Sequence, residues 1–106
     1  MSQLSKKVYQ LLTRIPTGKV TTYKALSQAA GTKAYRAVGQ ILKKNPDAPT
    51  VPCHRVVKTD LTLGGYIGKT RGEALQKKKI LLKKEGVLFT SAAKINPMSL
   101  YFFQKQ

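Results

Sequence analysis

Apolar positions recur at helical spacing along the first part of the chain. Leu4, Val8, Leu11 and Leu12 fall on one stripe of residues 3–13, which predicts an amphipathic helix. Pro16-Thr17-Gly18-Lys19 breaks it. Val20 and Thr21 read as a short extended piece. Thr22 reads as the cap of a second helix over 23–30, which Gly31 closes. A third helix is predicted over 33–44, with Ala34, Val38, Ile41 and Leu42 on its inner face and Arg36, Gln40 and Lys43 pointing out. Two short helices joined through Gly31-Thr32 read either as a helix-turn-helix, whose second helix is the reader, or as a plain helical hairpin.

Asn45-Pro46-Asp47-Ala48-Pro49 is turn chemistry, and it delivers the chain to Pro52-Cys53. His54-Arg55-Val56-Val57 predicts a short strand, in which Cys53 and His54 point to opposite sides. Gly64-Gly65, ahead of Tyr66, permits close approach of backbone to a ligand or another chain. A last helix is predicted over 72–85 and ended by Gly86. Leu88, Phe89, Tyr101, Phe102 and Phe103 in 87–106 predict a segment that packs onto the domain. There is no internal repeat and no low-complexity linker. The pattern describes one domain over 1–106, mostly helical with a short β element, an α+β class.

Charge narrows the partners. Twenty Lys and Arg against four Asp and Glu give a net charge of +16 in 106 residues. Such an excess points first to nucleic acid, with an anionic membrane or a ribosome-like scaffold as competitors. It carries no sequence or lesion specificity. Hydrophobic content of 42% is that of a folded domain, which excludes a disordered basic tail. The chain has one cysteine and one histidine, so it has no internal disulfide and no structural zinc site. An intracellular, reducing location is expected. The N-terminal residues have no long apolar run behind them, so neither a signal peptide nor a membrane span is expected.

That one cysteine and that one histidine are adjacent, in Val51-Pro52-Cys53-His54-Arg55. The pair reads either as a small buried hydrophobe beside a ring or as a nucleophile beside its base. The last helix adds a carboxylate. Lys78 and Glu85 are seven apart and share a face with Leu81 and Leu82, which should look inward. Glu85 stands at a helix C-terminus, where the macrodipole disfavours an anion, so it needs a partner. His54 is one candidate; Lys83 or Lys84 at the surface is the other.

Taken in order, these motifs resemble the O6-alkylguanine-DNA alkyltransferases, the methylated-DNA–protein-cysteine methyltransferases. Pro52-Cys53-His54-Arg55-Val56 resembles their active-site motif. Ile15-Pro16-Thr17-Gly18-Lys19-Val20-Thr21-Thr22-Tyr23 resembles the entry to their helix-turn-helix, and Arg36-Ala37-Val38-Gly39 resembles their reading helix. Asn45-Pro46 is similar to their hinge, Gly64-Gly65-Tyr66 to their substrate loop, and Leu81-Leu82-Lys83-Lys84-Glu85-Gly86 to their closing helix. The resemblance covers about residues 8 to 87 and implies a winged-helix-like, helix-turn-helix DNA-binding domain.

What the resemblance implies is direct reversal of alkylation damage in double-stranded DNA. An O6-alkylguanine is flipped out of the duplex, and a cysteine takes its alkyl group irreversibly, once per molecule and without a cofactor or metal. Carried over by position, Cys53 is the acceptor, His54 the base through a water, and Glu85 the group that polarises it. Tyr23 donates toward the guanine, and Lys78 lines the pocket. Arg36 fills the gap left by the base, with Ala37, Gly39, Gln40, Thr22 and Lys43 also at the DNA. Tyr66, Ile67, Pro52, Asn45 and Arg55 complete the substrate pocket, Asn45 bracing the turn that holds the cysteine. The family docks its reading helix in the minor groove, where small residues such as Ala37 and Gly39 suit a close approach.

The chain departs from the family in three places. Ile67 stands where many relatives have a small or polar residue, so an oxygen contact there falls to the backbone N–H. The stretch from Tyr66 to Glu85 is a few residues longer, through Gly68-Lys69-Thr70-Arg71-Gly72. The family's usual N-terminal α/β domain is not expected here, and a monomer is. The first rival is a non-catalytic, alkyltransferase-like lesion-binding protein that recruits other repair; Cys53 argues against it. A general basic nucleic-acid-binding protein and a Cys-His hydrolase are the others.

Overall fold

Ser2 begins the first helix, its Oγ accepting from the Ser5 N–H at 3.1 Å. The computed structural model describes residues 2–47, 50–65, 72–91 and 94–103. Helix α1, Gln3–Arg14, buries Val8, Leu11 and Leu12, with Leu4 packed at the edge of the same stripe. Strand β1, Thr21–Thr22, leads into α2, Tyr23–Ala29. The Thr22 hydroxyl accepts from the Ala25 N–H at 3.1 Å, so the expected cap is in place. Gly31, at φ +75°, turns the chain toward α3, Tyr35–Lys43.

The third helix starts later than 33, and Ala34 is exposed rather than on its inner face. The cause is local: the Thr32 hydroxyl accepts from the Ala34 N–H at 3.0 Å and holds Ala34 outside the helix. Val38 and Leu42 form the buried face, with Ile41 beside them. The three helices close one core cluster through Val8, Leu12, Leu26, Val38 and Leu42, and Cys53 belongs to that cluster.

A strand beginning at His54 does not form. Cys53–Arg55 is a single 3₁₀ turn, closed by the Arg55 N–H on the Pro52 carbonyl at 3.0 Å. Only Val56–Val57 is extended, as β2. Cys53 and His54 therefore do not alternate across a sheet. Strand β2 pairs in parallel with β1, Thr21 opposite Val56 and Thr22 opposite Val57. A parallel pair needs a crossover, and α2 and α3 supply it.

Helix α4, Glu73–Lys84, turns Lys78 and Leu82 inward onto a second cluster of Val20, Val57, Leu63, Val87 and Ile95. Strands β3, Phe89–Ser91, and β4, Lys94–Ile95, form an antiparallel pair. The chain then returns to β1: the Tyr101 N–H donates to the Val20 carbonyl at 2.7 Å, and the Val20 N–H to the Ser99 carbonyl at 2.9 Å. Leu100, Tyr101 and Phe103 pack on the core, as expected of this segment, but Leu88 and Phe102 face solvent. Phe102 is exposed between two residues, Tyr101 and Phe103, that pack inward. The architecture is mostly helical with two small sheets, an α+β fold. Among the described residues no helix is long and apolar enough to cross a membrane.

Candidate active site

Cys53 sits in the 3₁₀ turn, 6% exposed, under the helix-turn-helix core. Asn45 braces the loop before it. Its Nδ2 donates to the Val51 carbonyl at 2.7 Å, and its Oδ1 accepts from the Asp47 N–H at 3.0 Å. Burial pushes the Cys53 thiol up; a hydrogen bond from Asn45 and the charge of Lys78 act in the other direction, and burial wins. At rest the site therefore holds a thiol. Pro52 is buried beside it.

His54 is buried, and its Nε2 lies 3.0 Å from Glu85 Oε2. Glu85 follows α4 directly and points inward rather than to Lys83 or Lys84. Burial pushes the imidazole below its usual range, although the Glu85 hydrogen bond and charge pull it up. For Glu85, burial acts against the charge, but hydrogen bonds from Arg55 and His54 hold its carboxyl below the usual carboxylate range. Near neutral pH the group is thiol, neutral imidazole and carboxylate. A carboxylate only accepts, so Nε2 carries the ring proton and Nδ1 is the basic nitrogen.

Arg55, expected in the pocket wall, has its guanidinium engaged by Glu85 and Ile15. Its Nε donates to Glu85 Oε1 at 2.9 Å and its Nη2 to Oε2 at 2.8 Å, a two-pronged grip. Its Nη1 donates to the Ile15 carbonyl at 2.8 Å. Sequence reasoning missed this role. The available signal was an arginine next to the histidine, in a chain with four acidic residues.

Lys78 is fully buried, and its Nζ donates to the carbonyls of Val56 at 2.8 Å and Gly65 at 3.0 Å, and to that of Leu63. Its ammonium ties β2 to the 63–65 segment. Burial pushes it down to about 7, while the field of Cys53 acts the other way. Tyr23, the first residue of α2, is half-buried. Burial, and then the charge of Cys53, raise its phenol, so it is an O–H donor. Tyr66 and Ile67 lie outside the described residues.

On α3, Arg36, Ala37, Gln40 and Lys43 are exposed, and a Cβ on Gly39 would meet nothing within 4 Å. One face of α3 thus offers cations around small residues. Thr22 is held as the cap of α2, with its hydroxyl engaged by Ala25.

Residues 3–87 match the family described as 6-O-methylguanine DNA methyltransferase, DNA binding domain. The chain belongs to that family. Among members of the methyltransferase family, the methylated-DNA–protein-cysteine methyltransferase of Pyrobaculum aerophilum is 43% identical over 88 residues, 83% of this chain and 55% of that protein. Among solved structures, O6-methylguanine-DNA methyltransferase from Pyrococcus kodakaraensis aligns with a TM-score of 0.70 at 42% identity, over 82% of this chain and 48% of that one. Atl1 of S. pombe, solved with damaged DNA containing O6-carboxymethylguanine, aligns with a TM-score of 0.76 at 32% identity, over 95% of this chain and 96% of that one. The chain spans about half the length of the curated relatives it matches.

Proposed function

We propose that this protein repairs double-stranded DNA by moving the alkyl group of an O6-alkylguanine onto Cys53, once per molecule. The observation that carries the reading is the arrangement at the turn: a buried thiol beside an imidazole that a carboxylate holds, in a domain of this family. Arg36 enters the duplex from α3 and takes the place of the guanine, which swings into the site. His54 takes the thiol proton through a water at Nδ1, and its developing charge is stabilised by Glu85. Sulfur forms the new S–C bond as the O6–C bond breaks. The electron pair moves into the guanine, Tyr23 donates toward the base as charge develops, and the ring ends protonated as ordinary guanine. The thioether has no proton left to give, so the reaction stops after one transfer.

Lys78 serves this reaction as a positioning residue, because its ammonium is held by three carbonyls. Arg55 likewise acts through Glu85. The experiment is intact-protein mass spectrometry after incubation with duplex carrying O6-methylguanine. One methyl in place of one hydrogen, on the Cys53 peptide, is expected.

A second reading is a protein that binds the lesion and passes it to other repair. S. pombe Atl1, solved with damaged DNA, aligns over nearly the whole of both chains, while the thiol of Cys53 stands against this reading. Unchanged mass together with preferential binding of lesion duplex would decide for that reading.

A further inference from the structure

Among the large apolar side chains of α3, Tyr35 alone is exposed. It is the first residue of the helix and stands 47% open to solvent. Val38 and Leu42 are buried, and the residues that follow Tyr35 on the outer side are a cation, Arg36, and the small Ala37. Among the described residues the ring of Tyr35 has no aromatic or cation partner, and its hydroxyl has no hydrogen bond. An aromatic ring left in water on a helix that meets a ligand is apolar area still available for binding.

The backbone that carries this ring is anchored at both ends. The Tyr35 N–H donates to the Lys33 carbonyl at 2.9 Å, and the Ala34 N–H to the Thr32 hydroxyl at 3.0 Å. At the far end of α3 the Tyr9 hydroxyl donates to the Ile41 carbonyl at 2.7 Å. Successive residues of an α-helix are turned by about 100°, so Tyr35 stands beside Arg36, on the flank that carries Gly39 four residues on. Helical side chains lean toward the N-terminus, so residues 35 and 36 reach past the leading end of α3. A Cβ on Gly39 would meet nothing within 4 Å, so the flank behind the ring is open. A surface brought against Ala37 and Gly39 therefore meets the ring of Tyr35 as well.

We propose that Tyr35 is the apolar half of a two-residue wedge: as Arg36 takes the place of the flipped guanine, the ring of Tyr35 enters the same groove and stacks on a base next to the vacated place. The inference rests on the proposed function. Taking one guanine out of the duplex bares the faces of its neighbours. A planar, apolar ring gains by covering such a face, and apolar wedges in a groove partly unstack a base step and hold the duplex bent. Arg36 then supplies charge and Tyr35 supplies stacking, so the two side chains differ in how salt affects their contributions.

The test compares Tyr35→Phe and Tyr35→Ala with wild type. The duplex carries O6-methylguanine with 2-aminopurine, whose fluorescence reports its stacking, on one side of the lesion or the other. Tyr35→Ala should slow repair roughly tenfold, within the range of one base–aromatic stack. It should also lose the fluorescence change that wild type produces at one flanking position. Tyr35→Phe should match wild type in both readouts, because the ring makes the contact. Neither variant should alter the salt dependence of binding, since no charge is removed. Free O6-benzylguanine, which has no neighbouring bases, should alkylate all three proteins equally fast. Undiminished repair by Tyr35→Ala overturns the proposal. Equal damage from Phe and Ala overturns it too, by making the hydroxyl a polar contact, and so does a loss that extends to the free base, by making Tyr35 structural. Failure of wild type to react with either substrate would count against the proposed transfer, while the fluorescence change on binding still decides the wedge.

Discussion

Arg55 and Glu85, thirty residues apart, meet in a two-pronged ion pair whose shared oxygen, Oε2, also accepts from His54. Both partners are less than a fifth exposed, at 14% and 17%. One three-residue turn thus grips the end of α4 with two successive side chains. The same guanidinium reaches the Ile15 carbonyl, so the end of α1 is tied in too.

Replacing Arg55 by Lys keeps the charge but loses the fork. The expected cost is about 2 kcal/mol, for lost charge-assisted hydrogen bonds at a partly buried site. For a domain of this size that lowers Tm by roughly 8–16 °C, read by thermal denaturation. An unchanged Tm would mean that His54 alone holds Glu85.

Glu85→Gln preserves the hydrogen-bonding shape and removes the charge. The rate of alkyl transfer should fall about tenfold or more, the range for losing an acid–base partner, with little change in lesion affinity. Single-turnover kinetics beside a binding titration separate the two.

The pH dependence has a definite sign. His54 is lowered in the folded protein, so below its ordinary value of 6.5 the unfolded chain binds the proton first and acid destabilises the fold. Glu85 is lowered from 4.5, so its contribution to stability is lost at still lower pH, as its folded pKa is passed. From these two groups stability should decline in two stages on acidification, first below pH 6.5 and then below 4.5, while Lys78, lowered from 10.5 to about 7, adds a loss as pH falls from 10.5 toward 7. Transfer needs the neutral ring, so its rate should persist to lower pH than an ordinary imidazole allows and then fall. A rate that halves at or above pH 6.5 would contradict this.

Cys53→Ala should abolish transfer and leave DNA binding intact, because it removes one sulfur from the core and no charge from the surface. A gel-shift titration beside the mass measurement tests both halves, and any methylation of the Ala variant would refute the assignment.

Arg36→Ala should reduce repair more than overall DNA binding, because one of twenty basic residues supplies a small share of the attraction. Affinity for undamaged duplex should also fall steeply with salt, about one power for each phosphate neutralised. Equal losses in binding and repair would make Arg36 an ordinary phosphate contact.

The helical half was legible because its signals are local. The stripe Val8–Leu11–Leu12, the Thr22 cap and the Gly31 turn each act within a few residues. Glu85 was legible for a different reason: an anion at a helix C-terminus, on a face with Leu82, has to find a cation or donor inside. The turn at Cys53 was not legible. His54-Arg55-Val56-Val57 reads as strand by composition, and the 3₁₀ turn goes with contacts of Arg55 to Ile15 and Glu85 that lie far off in sequence. Lys78 read as a pocket residue because its partners are carbonyls, which no side-chain pattern announces. The return of 99–101 to Val20 was hidden for the same reason.

The chain's lone thiol lies within the core cluster that α1, α2 and α3 share. The sulfur is 6% exposed, so a small reagent in solution meets little of it. The rate at which such a reagent labels Cys53, set against that of a free thiol, therefore reports how far the packing shields the sulfur. That rate can be followed in the same mass spectrum as the repair reaction, so damage-driven and solvent-driven modification of one sulfur can be compared in a single sample.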